Sequence, residues 1–197
     1  MQLSKLKKIN AIQLEVRDTK VIWLIDTVMT PSDIDGKIPE GTDVFLVNRT
    51  EPFTSASEVE KWDLYSQRIK SERNTVIIFS AGEYRVKDVH LKGSSLDPKV
   101  HFVVETPEGS VGFFQSEPSE SFIKQYAPID VIVGRDMALA GVQLDFEPFY
   151  VVLATFSEEY QKKSGVSEVT SNDKLSVKKI DQAAREGTVS MSVYSLA

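Results

Sequence analysis

The chain contains no cysteine and only two histidines, His90 and His101. Disulfides, thiolate nucleophiles, iron–sulfur clusters and every cysteine-based zinc site are therefore excluded. A three-histidine zinc site cannot be assembled from one such chain. No run approaches the roughly 18 apolar residues needed to span a bilayer. The basic opening, MQLSKLKKIN, lacks the apolar core that a secretion signal places next, so a cytoplasmic location is expected. Asn48-Arg49-Thr50 fits the glycosylation pattern, but without a secretion signal it is discounted. Walker A, G-x-G-x-x-G and G-x-S-x-G are all missing, which leaves nucleotide binding and triad hydrolysis without a signal. Acidic residues number 29 against 23 basic ones, a net charge of −6. That balance disfavours a broadly basic nucleic-acid-binding chain.

What remains is an ordinary globular composition: 197 residues, 41% apolar and 26% charged. It fits a single domain over 1–197, with no repeat and no linker. Residues 9–16 alternate apolar and polar, and 21–25 (VIWLI) form a continuous apolar run. They read as two strands joined by the turn 17–20, ending at Asp26. Pro31, Gly36, Pro39 and Gly41 mark 27–42 as an irregular loop. Residues 43–48 form a buried strand. Capping patterns at Ser55/Glu58 and Ser57/Glu60 then precede Val59, Trp62, Tyr65 and Ile69 at helical spacing, which predicts a helix over 57–72.

Strands follow at 75–80, in two pieces across 84–105 joined through Gly93 to Pro98, and at 110–115. Ser119 caps a helix carrying Phe122, Ile123 and Tyr126. Strands at 130–133 and 149–154 precede a short helix over 157–164, ended by Gly165. Residues 166–174 read as loop, 175–179 as strand, Ala183 and Ala184 as a helical turn, and 188–194 as the last strand. This order suggests sheets in layers covered by helices. Lys5-Leu6-Lys7-Lys8 reads as a solvated start, His90 and His101 as exposed strand positions, and Phe113-Phe114 with 146–150 as core.

Several segments carry a resemblance. SAGEYRVKDVHLKG, residues 80–93, is similar to the "PGEYEVKGV" segment of the ascorbate-phosphate-lactonase-like group of metallo-β-lactamase-fold hydrolases, with Ala81 where that group has proline. Ile25-Asp26-Thr27 resembles its "iDP". HFVVETPEGSVGFFQSE resembles the strand pair leading to "hlGD", and APIDVIV resembles "eiDvLllP". KLSVKKIDQAAREGTVSMSVYSL is similar to the closing strand–turn–strand. The order spans nearly the whole chain, and it implies an α/β fold: a four-layer αββα sandwich.

The chemistry of that group does not carry over. Its signature, T-H-x-H-x-D-H, follows a strand that begins with aspartate. The strand at Asp43 is intact, yet it continues into Asn48-Arg49-Thr50-Glu51-Pro52-Phe53-Thr54. By the resemblance, Arg49 and Glu51 stand at the first two histidines, Phe53 at the aspartate and Thr54 at the last histidine. The bridging aspartate falls near Ser116 or Glu117, and a late histidine falls at Thr155. Zinc needs imidazoles or carboxylates at about 2 Å in fixed geometry, and a permanent guanidinium at Arg49 opposes a divalent ion.

The expectation is a vestigial pocket of Asp26, Asn48, Arg49, Glu51, Thr54, Glu83, Glu117 and Thr155, with no catalytic residue, no metal and no cofactor. In it, Arg49 pairs with Glu51 or Glu117, Asp26 bonds loop backbone, and Glu83 belongs to a structural turn. The expected function is a non-catalytic binding or scaffolding protein, acting as a homo-oligomer or with a protein partner. The competing reading is a residual hydrolase of phosphorylated or lactone substrates. It would use Glu51, Glu83 or Glu117 with Mg or Mn, or no metal, and Arg49 would anchor an anion.

Overall fold

A computed structural model describes residues 1–28, 30–48, 55–94, 96, 99–177 and 191–196. The chain opens on a meander of β1 (Gln2–Leu6), β2 (Ala11–Val16) and β3 (Thr19–Thr27), each antiparallel to the next. The apolar run in β3 is buried on both faces. Val21, Trp23 and Ile25 point into the centre, while Ile22 and Leu24 point the other way. Such a strand needs a layer on each side. β4 (Val44–Asn48) and β5 (Val76–Ile78) add parallel strands. Between them α1 (Ala56–Arg73) begins at Ser55, whose hydroxyl accepts from the Glu58 N–H, and ends at Asn74 in the left-handed region. It packs Trp62, Tyr65 and Ile69 onto Ile22, Leu24, Phe45 and Val47.

β6 (Gly82–Val86), β7 (Val89–Ser94), β8 (His101–Thr106) and β9 (Gly109–Phe114) form a second antiparallel meander. After α2 (Glu120–Tyr126), the strands β10 (Val131–Gly134) and β11 (Tyr150–Leu153) run parallel to β9 and to each other. α3 (Asp136–Leu139) lies between them, and α4 (Glu158–Ser164) follows. β12 (Thr170–Asn172) and β14 (Ser192–Leu196) extend this second sheet, while β13 (Lys174–Ser176) returns to the first.

Among the described residues the two sheets have the orders β13-β1-β2-β3-β4-β5 and β12-β14-β11-β10-β9-β8-β7-β6. Their facing surfaces share one core that includes Trp23 and Phe113, with ring centroids 5.5 Å apart. The outer face of the second sheet is covered by the short helices through Phe122, Leu139, Phe146 and Tyr160. The expected αββα layering is therefore the one observed. No helix among the described residues is long and apolar enough to cross a membrane.

Four local expectations change. The basic start is solvated only in part: Lys7 and Lys8 are exposed, but Leu3 is fully buried in the central core and draws 2–6 into a strand. Lys5 on that strand donates to the carbonyls of Ala154 and Leu196 at 3.2 and 3.4 Å, reaching across to the other sheet. The stretch 84–105 holds parts of three strands. The missed turn sits at Lys87, which takes φ +48° without being glycine. Residues 166–174 include the short β12. His101 is not exposed: it is wholly buried against Phe114 and Phe122 at 5.4 and 5.2 Å. It faces the helices, and one-face alternation alone does not say which face carries a layer. The helical turn through Ala183 and Ala184, and 188–190 of the last strand, lie outside the described residues.

Candidate functional site

Three neighbouring parallel strands end side by side. Gly134 at the end of β10 is in register with Phe114 on β9 and Leu153 on β11. Crevices outside the carboxyl ends of parallel strands are where open α/β sheets bind ligands. The residues that leave these ends, Gln115 to Glu117, Arg135 with Asp136, and Thr155, line one cavity of about 600 Å³. Met137, Phe156 and Ser157 help to complete it. Gly134 makes the turn possible, since a Cβ there would stand 2.7 Å from the Phe114 carbonyl oxygen.

Gln115 is 6% exposed and reaches across to the first sheet. Its Nε2 donates to the Ile25 carbonyl at 3.2 Å and to Thr27 Oγ1 at 2.6 Å. The Ile25 carbonyl can only accept, which fixes the amide orientation. Among the described residues no hydrogen-bond donor reaches the buried Oε1. Asp136 is 8% exposed, and its Oδ1 accepts from the Thr155 hydroxyl and from the Met137 N–H, both at 2.9 Å. Among the described residues neither Asp136 nor the exposed Arg135 has an ion-pair partner. Glu117 lies 3.9 Å from the Lys163 ammonium, with both side chains about half exposed. Phe156 meets Tyr160 edge-on at 6.4 Å. Burial pushes the Tyr160 phenol up to about 12, the Asp136 charge adding to the rise against the opposing bonds from Ser164 and Gln143.

The sequence-predicted residues divide. Glu117 and Thr155 share the cavity. Asn48 ends β4 on the opposite sheet and is buried, its amide donating to the Leu24 carbonyl at 2.6 Å. Asp26 near the end of β3 accepts from the Asn10 amide at 2.6 Å, a side-chain partner rather than the loop backbone expected for it. Arg49, Glu51, Phe53 and Thr54 lie outside the described residues.

Glu83 is not brought to the cavity. It sits on the edge strand β6, three strands from β9, and its Oε2 lies 3.4 Å from His90 Nε2. His90 also meets Glu105 at 3.1 Å, and Lys92 binds the same carboxylate at 2.5 Å. Burial opposes ionisation of Glu105, but the bonds from Lys92 and His90 outweigh it and hold the carboxyl below its ordinary range. Gln115, Arg135 and Asp136 were not singled out by the sequence reading. The signal for Arg135 and Asp136 is a Gly-Arg-Asp triplet directly after the apolar strand of residues 131–133.

This donor set does not suit zinc. Among the described residues no three His, Cys, Asp or Glu side chains are placed so that they could hold a metal ion. Of the two histidines, His90 lies on the edge meander and His101 under the helices, so neither reaches the strand ends.

No family model and no curated protein matches the sequence. Solved structures do match the fold. One is an inferred Zn-dependent hydrolase of the metallo-β-lactamase superfamily from Thermotoga maritima. It superposes with a TM-score of 0.61 at 13% identity, over 99% of this chain and 98% of that one. Another is the metallo-β-lactamase fold protein YhfI from Bacillus subtilis, with a TM-score of 0.52 at 9% identity, over 95% and 88%. At such identities the likeness is one of architecture, and it runs from end to end through both sheets and their covering helices. This chain has the metallo-β-lactamase fold.

Proposed function

We propose that this protein binds a ligand or partner on a metallo-β-lactamase frame without carrying out metal-dependent hydrolysis. The observation that carries the reading is where the polar groups at the strand ends point. Asn48 is spent on the Leu24 carbonyl, Gln115 on Ile25 and Thr27, and Thr155 on Asp136. A metal-activated water requires several free donors converging on one ion. Here the amide nitrogens of Asn48 and Gln115 and the Thr155 hydroxyl are held by the protein itself. Arg49 and Phe53, at positions that the resemblance gives to metal ligands, support the same reading. Self-association and a cytoplasmic location belong to this proposal.

Metal analysis tests it. The purified protein is incubated with Zn and with Mn, dialysed and assayed for bound metal. The expected result is far less than one equivalent of either ion. One equivalent or more, lost when Glu51 and Glu117 are replaced by Gln, would overturn the proposal in favour of a carboxylate-held hydrolytic centre. Light scattering on the eluting protein tests self-association, for which a mass of two or more chains is expected.

A further inference from the structure

We propose that the cavity at the ends of β9, β10 and β11 takes a free α-amino acid with an apolar side chain. The inference rests on the binding reading above and names its ligand class. Its basis is the pairing of unmet groups in one cavity of about 600 Å³. Arg135 is exposed on its wall and has no carboxylate partner among the described residues. A guanidinium is a planar double donor that matches a carboxylate. Asp136, its neighbour in sequence, keeps 8% exposure and has no cationic partner among the described residues. A carboxylate this far from water is stabilised by an incoming positive charge.

An ammonium beside a carboxylate answers both groups together. A simple anion would meet Asp136 and Glu117, and a simple cation would meet Arg135. The two signs side by side therefore select a zwitterion. Phe156, 44% exposed, and Met137 supply an apolar wall for the side chain.

Calorimetry on the full chain in EDTA tests this. The probes are L-leucine, L-methionine and L-phenylalanine, with N-acetyl-L-leucine and L-leucinamide as capped controls. At least one amino acid is expected to bind, and each capped compound is expected to bind at least about tenfold more weakly than leucine, because each removes one charge-assisted contact. Arg135→Ala and Asp136→Asn, with unchanged circular dichroism, should each cost a similar factor. Because Arg135 is exposed, its variant separates loss of binding from loss of fold. Silence with all three amino acids overturns the proposal, as do capped compounds that bind equally well. Stoichiometric metal in the earlier assay, with amino-acid binding retained in EDTA, overturns the metal-free reading and upholds this one. Silence without metal overturns this one alone.

Discussion

Gln115 links the two sheets with one amide. Both of its donations go to the first sheet while its backbone belongs to the second. Gln115→Leu keeps the volume but leaves the Ile25 carbonyl and the Thr27 hydroxyl without those donors. Urea unfolding should show a loss of about 1–3 kcal/mol. Tyr160 makes a different claim. Its phenol, ordinarily near 10, is raised to about 12 in the fold. Below pH 10 both folded and unfolded chains keep the proton, so its contribution is fully present. As pH climbs from 10 to 12 the unfolded chain ionises first, and stability on the order of 2 kcal/mol is lost. Tyr160→Phe should remove most of that alkaline slope, read as unfolding free energy against pH. Neither residue announced itself in the sequence. A lone glutamine after a strand and a tyrosine on a short helix acquire their roles from chains about 90 and 17 residues away.

The helix over 56–73 was legible almost to the residue, because the Ser55 capping pattern and the apolar spacing are local features. Its energy is tertiary: Trp62 is wholly buried against the first sheet. Trp62→Ala should cost about 3–5 kcal/mol in chemical denaturation. The turn after β10 depends on one glycine. Gly134→Ala would set a Cβ against the Phe114 carbonyl. A loss of about 1–3 kcal/mol is expected, as for other overpacked positions, with a lowered melting temperature as the readout. The hairpin between β6 and β7 was illegible for the opposite reason. Lys87 adopts a conformation that sequence rules reserve for glycine or asparagine, held there in part by its ammonium on Asp43 at 2.6 Å. That partner lies on the other sheet, so no local pattern could reveal it. The same holds for β1, whose short polar run becomes a strand only because β2 and β13 flank it.

For the whole molecule, the two sheets are tied at the strand ends by Gln115 in one direction and Lys5 in the other. A fold held in this way should be indifferent to chelation. Overnight EDTA is expected to leave the melting temperature unchanged, whereas a drop of several degrees, restored by Zn, would show that an ion joins the sheets. The amino-acid sequence by itself determined the layered α/β architecture and the poverty of soft metal donors. These follow from apolar periodicity and from residue counts, which do not depend on how distant segments meet. Only the tertiary structure decided which polar groups share a cavity, that His101 is buried and Glu83 remote, and that Arg135 and Asp136 stand beside Gln115. The reason is that adjacent parallel strands, well separated in the chain, bring their ends together, and burial then sets which charges lack a partner.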